Sequence, residues 1–201
     1  MQKNAQKPPP KICSVSQALC DRLDLGQKMK KIRTIIPYYV NVCDAAKDMG
    51  SKLHEVYLEN AKNIVFSALS IEEILARGIG KYFFGEEYNK RKIFDDLMIS
   101  TDSFSFSAKR RAFIAIASEQ GILSGSTRTE YENLISRIIR YRNMFTHGAP
   151  VYNGSNCVLH FSSGGKQEMT LTDEVFEKIE KELALCFHRS EEIALKIEKI
   201  T

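Results

Sequence analysis

From Ser51 to about Tyr82, apolar residues recur at helical spacing. Ala61, Ile64, Val65, Ala68, Ile71, Leu75 and Ile79 share one stripe when each residue advances about 100° around the axis. A second stripe holds Leu134, Ile135, Ile138, Ile139, Tyr141 and Phe145. Thr127 and Glu130 form a capping-box pair before it, so this helix is expected to start near Arg128. Gly148 stops it, with Pro150 just beyond. A third stripe runs through Val175, Ile179, Leu183, Cys186, Ile193, Ile197 and Ile200. Thr172 caps it, and Asp173 and Glu174 suit its first turn. That stripe fits a bundle helix or a packing surface for a second subunit.

Shorter elements fill the intervals. Residues 89–99 and 108–119 read as helices, the latter capped by Ser107, with a hydroxyl-rich loop over 100–107 and a turn at 121–126. Asn156–Phe161 and Gln167–Leu171 read as strands joined by a turn at 162–166. Residues 1–11 are too polar and proline-rich to bury anything and read as a disordered or extended tail. A helix over 14–35 ends in the basic cluster Lys28, Lys30, Lys31 and Arg33, either a solvated face or a phosphate contact. Pro37 opens another helix carrying Tyr38, Tyr39, Val42, Ala45, Ala46 and Met49. The predicted fold is all-α: one domain over 12–201, an antiparallel up-down helical bundle with a small β-hairpin inserted before the last helix.

Two charged residues break the stripes. Glu72 falls in the middle of the first and Arg142 inside the second. Each is costly there unless paired, and two helices that face each other predict a Glu72–Arg142 contact. Lys109, Arg110 and Arg111 crowd the first turn of the 108–119 helix, where cations oppose the dipole. They read as exposed solubilising charge or as a phosphate contact.

Composition narrows the setting. The chain has 201 residues, a net charge of +4 and a pI near 8.7, which permits an anionic partner without demanding one. Five cysteines, at 13, 20, 43, 157 and 186, lack paired or metal-ligand spacing, which suits a reducing cytoplasm. The N-terminus does not read as a secretory signal, and no apolar run reaches membrane-spanning length. There is no phosphate-binding glycine loop and no paired-histidine zinc motif. No metal or other cofactor is expected. His54, His160 and His188 stand alone.

Reactive groups concentrate in Arg137–Gly148, RIIRYRNMFTHG. Arg142-Asn143 precedes His147 on the last turn of an apolar helix, where the negative dipole end favours cations. Asn143 and His147, four apart, flank the stripe together. The run Arg142-Asn143-Met144-Phe145-Thr146-His147, with its helical surroundings over roughly residues 50–200, resembles the HEPN superfamily. That family's signature is Arg, a polar residue, a few variable positions and then His near the end of a bundle helix.

The resemblance implies a metal-independent endoribonuclease acting as a dimer, with two motifs meeting across the interface, in a toxin, defence or RNA-processing role. It equally allows a non-catalytic module that binds RNA or nucleotide or regulates a partner. It implies general acid/base work for His147, phosphate and transition-state stabilisation for Arg142, and positioning for Asn143. Arg137 and Arg140 would line the cleft, with Lys109, Arg110 and Arg111 as further RNA contacts and Glu72 as an orienting partner. A purely structural reading also stands: Arg142 tying two helices together, His147 capping a helix end. Members paired with a nucleotidyltransferase antitoxin often carry a tyrosine two residues after the histidine. Ala149 stands there, with Tyr152 further on. This argues against that partner and leaves a different antitoxin, a regulatory protein or none.

Overall fold

The computed structural model describes residues 49–99, 104–153 and 156–200. The expectations for residues 1–48, including the tail, the helices over 14–35 and from Pro37, and Cys13, Cys20 and Cys43, lie outside the described residues. The same holds for much of the 100–107 loop.

The described chain is mostly helical, with a small three-stranded antiparallel sheet. Helix α1 spans Met49–Phe84, about 54 Å at 1.5 Å per residue. Its predicted stripe is buried from Ala61 to Ile79, with Val65 half-buried. The expected 89–99 helix is α2, Tyr88–Phe94, which widens into a π-helical turn over Asp95–Ile99. Helix α3 spans Phe106–Glu119 and begins two residues earlier than expected. Ser105, not Ser107, is the cap, its Oγ accepting from the Ala108 N–H at 3.3 Å. Helix α4 is Gly125–His147, three residues longer at its start than the capping-box reading placed it. Gly125 takes φ +50, a conformation natural to glycine. Thr127 serves inside the helix: its hydroxyl donates to the Ser124 carbonyl at 2.7 Å and accepts from the Ser124 N–H at 3.4 Å.

Strands β1 (Ala149–Asn153), β2 (Asn156–Ser162) and β3 (Lys166–Thr170) follow in the order β1-β2-β3. The expected hairpin is β2–β3, with Leu159 opposite Met169. The extra strand β1 pairs Val151 with Val158. Pro150 hides it from a sequence reading, since proline enters sheets only at edges, and β1 is an edge strand. Helix α5 spans Asp173–Ile200 and opens with the Val175 N–H donating to Thr172 Oγ1 at 3.4 Å.

Side-chain pairs fix the helix directions. Tyr131 meets Ser190, Tyr141 meets Glu182 and Phe145 meets Phe176, so α4 and α5 are antiparallel. Lys109 meets Glu72 and Tyr82 meets Glu119, so α3 runs parallel to α1. Tyr57 lies against Phe145 at one end, and Arg77 reaches Glu191 and Glu198 at the other, so α5 also parallels α1. Thus α4 alone among these four opposes its neighbours. The expected antiparallel pairing of α1 with α4, with α5 alongside, is present, while α1 and α3 run parallel.

One core runs through the bundle and under the sheet, from Ile64, Ile71 and Leu75 through Ile135 and Ile138 to Phe176, Ile179 and Leu159. The α5 stripe is spent on this core, with Val175 half-buried and Ile200 exposed at its ends. Buried Ser190 serves it by holding the Tyr131 hydroxyl at 2.8 Å and donating to the Cys186 carbonyl at 2.7 Å. Cys157 and Cys186 are free and buried. Among the described residues, no helix is long and apolar enough to cross a membrane.

Candidate nucleic-acid interface at the end of α4

Helix α4 buries Leu134, Ile135, Ile138, Tyr141, Met144 and Phe145. Its outward side carries Ser136, Arg140, Asn143 and His147, spaced four, three and four apart, which is one helical stripe. Arg140, Asn143, Thr146 and His147 are exposed. Arg142 sits about 100° around the axis from Asn143, on the buried side, and is half-buried. Its guanidinium bends outward along its aliphatic stem, and Nη1 donates to Asn143 Oδ1 at 3.1 Å. Nε is buried with no hydrogen-bond partner.

Glu72 does not meet Arg142. Its Oε1 accepts from Lys109 Nζ at 2.7 Å, with the two side chains only 14% and 10% exposed. The helix register explains the correction. With Tyr57 level with Phe145, Arg142 stands near the level of Asn60, about 18 Å along α1 from Glu72 at 1.5 Å per residue. Glu72 therefore orients α3, not the arginine of the motif. Among the described residues Arg142 has no carboxylate partner.

The remaining predicted contacts separate. Arg137 turns to α5, its Nε 3.1 Å from Glu182 Oε2, which also accepts from the Tyr141 hydroxyl at 3.0 Å. That places it about 120° around α4 from Asn143, away from the outward stripe. Arg140 stays on the stripe, donating to Gln167 Oε1 at 2.9 Å and lying over the Phe161 ring at 5.9 Å. Lys109 is committed to Glu72. Arg110 donates from Nη1 to Ser136 Oγ at 2.5 Å, and Arg111 is exposed.

Gly148 sets where the motif ends. Its N–H donates to the Met144 carbonyl at 2.8 Å. A Cβ there would collide with that same carbonyl and lie 2.7 Å from Leu159 Cδ1. Only glycine lets β2 close against the last turn of α4.

Sequence spacing missed a second polar group at this end of the bundle. His54 Nδ1 lies 2.7 Å from the Tyr152 hydroxyl, and its ring stacks against Tyr57 at 6.4 Å. Burial pushes the Tyr152 phenol well above its ordinary range. Burial likewise raises the Cys157 thiol, with the hydrogen bond from Tyr152 opposing it. His54 and Tyr152 are 98 residues apart, and no local pattern joins them. Among the described residues, no three His, Cys, Asp or Glu side chains gather in a metal-binding arrangement.

Comparison with known protein families, curated proteins and solved structures finds no match to this chain.

Proposed function

We propose that this chain is an RNA-acting protein of the HEPN type, a metal-independent endoribonuclease working as a two-fold dimer. The observation that supports this most is the end of α4. There Arg142, a half-buried cation without a carboxylate partner among the described residues, reaches Asn143 on the same outward face as exposed His147. An arginine serving only to tie helices would face an acidic partner, as Lys109 faces Glu72.

In the proposed reaction the ribose 2′-oxygen attacks the adjacent phosphorus and gives up its proton to a base. The P–O5′ bond breaks, and the leaving 5′-oxygen takes a proton from an acid. The products are a 2′,3′-cyclic phosphate and a free 5′-hydroxyl. His147 moves a proton, Arg142 stabilises the charge that builds on the phosphoryl oxygens, and Asn143 holds Arg142 and the phosphate in place. One chain supplies one motif histidine, so the second proton transfer falls to the partner copy's His147.

Purified protein in EDTA with mixed single-stranded RNAs tests this. Cleavage should leave cyclic phosphate ends, and His147→Ala should slow it by ~10²–10⁴-fold while RNA binding persists. Cleavage unchanged in that variant, or a protein that sediments only as monomer at high micromolar concentration, refutes the proposal. RNA binding by a well-folded dimer with no cleavage points instead to a binding module.

A further inference from the structure

We propose that Arg110, held on Ser136, forms a second phosphate-binding subsite that grips the RNA strand about two helical turns from the Arg142–Asn143–His147 cluster. The inference rests on the RNA-acting reading above and adds where the strand runs.

The subsite is built across two helices. The Ser136 hydroxyl donates to the Glu132 carbonyl at 2.6 Å, which leaves its oxygen free to accept from Arg110 Nη1 at 2.5 Å. The arginine comes from the first turns of α3 and is half-buried. Its Nε is buried with no hydrogen-bond partner, as is Nε of Arg142. Among the described residues each guanidinium thus engages one neutral oxygen, with the rest of its donor fork unused. A half-buried guanidinium without a counter-charge is costly, and an anion bound from solvent offsets that cost.

Charge is distributed unevenly around α4. On the α5 side the arginines meet carboxylates: Arg77 meets Glu191 and Glu198, Arg137 meets Glu182, and Arg189 lies 3.8 Å from Glu130. On the α3 side Arg110 and Arg142 have no carboxylate partner among the described residues, and Arg140, at a level between them, turns toward the sheet and bonds neutral Gln167. Ser136 and Asn143 are seven residues apart, on nearly the same azimuth and roughly 10 Å along the axis. Three cations at the levels of Ser136, Arg140 and Asn143 match a ligand with repeated negative charge along its length, as a nucleic-acid backbone has.

The test uses the full chain and two uncleavable probes, a labelled 2′-O-methyl single-stranded oligonucleotide and a 2′-O-methyl dinucleotide, with affinity measured across salt concentrations. Arg110→Gln should weaken the oligonucleotide and lower its salt slope by about 0.7, the value for one phosphate contact on a single strand, with dinucleotide affinity unchanged. Ser136→Ala, which frees Arg110 without removing its charge, should weaken the oligonucleotide in the same direction by a smaller factor. Arg142→Gln should weaken both probes. Circular dichroism melts confirm that each variant is folded. A folded Arg110→Gln that keeps the wild-type slope, or loses as much dinucleotide affinity as oligonucleotide affinity, overturns the subsite while the RNA-acting reading stands. Competition by polyglutamate as strong as that of an RNA of equal charge also overturns it, since the groove would then read an acidic protein. Wild-type protein that binds neither RNA probe removes both the subsite and the reading beneath it.

Discussion

Removing the Glu72 carboxylate should destabilise the fold far more than an ordinary helix substitution. Glu72 and Lys109 are 2.7 Å apart with side chains 14% and 10% exposed, so Glu72→Ala strands an ammonium between α1 and α3. Breaking a buried pair from one side costs ~3–5 kcal/mol. The residual exposure of both groups favours the lower end, about 3 kcal/mol, which lowers the melting temperature by about 6–12 °C for a domain of this size. Lys109→Met should cost a comparable amount by stranding the carboxylate. The double variant Glu72→Leu/Lys109→Met should recover most of the loss, because apolar residues of similar volume often replace a buried pair at no net cost. Denaturant titration of the wild type, Glu72→Leu, Lys109→Met and the double variant closes the cycle. Single variants within about 0.5 kcal/mol of wild type, the range of a surface change, would refute the idea that this pair is desolvated and coupled.

Alkali should unfold the protein through its buried acids. Burial, reinforced by Glu182, pushes the Tyr141 phenol up to about 12, and burial pushes the Cys186 thiol up to about 12. Their folded values exceed the unfolded ones, so the folded state holds these protons more tightly. That stability is complete below the unfolded values and is lost as pH rises toward the folded ones. Melting temperature should therefore fall above about pH 9, and Tyr141→Phe should soften the fall; a flat profile would contradict the assigned burial. Gly148→Ala should cost ~1–3 kcal/mol as an overpacked site, because its Cβ meets the Met144 carbonyl and Leu159. Unchanged stability would mean that α4 and β2 separate easily.

Much of the fold was legible because it rests on periodicity. Ile64, Ile71, Ile138, Ile179 and Ile193 repeat at helical spacing, and all are buried. Ends were less legible, since several hydroxyls competed for the same role. Ser105 and Ser107 both precede α3, and Ser124 and Thr127 both flank the start of α4; which one caps depends on where the preceding loop approaches. Pairings between elements were not legible at all. The stripes identified Glu72 and Arg142 as buried charges, and α1 and α4 do pack together. Their relative register, set by contacts such as Tyr57 on Phe145, is a property of the assembled bundle, and it gives Glu72 to Lys109. The His54–Tyr152 bond was hidden for the same reason, as was β1, whose strand character comes from its pairing with β2.

Lys109 and Arg142 together separate a cation that holds the fold from one open to a ligand. Each comes from a helix that is otherwise burying its apolar face, Lys109 being buried and Arg142 half-buried. Lys109 ends on a carboxylate, so its charge is cancelled where it stands and its removal is felt as lost stability. Arg142 ends on an amide, with Nε unpartnered. An amide oxygen orients a guanidinium without neutralising it, so the positive potential persists at the surface beside His147. Arg110 repeats the arrangement with a serine in place of the asparagine. Arg110 and Arg142, each steered by a neutral oxygen, stand without a carboxylate partner among the described residues, whereas Arg77, Arg137 and Arg189 on the α5 side each meet one. A fold selected for stability alone gains nothing from that asymmetry, whereas a surface that must accept and release a polyanion requires cations oriented but not neutralised.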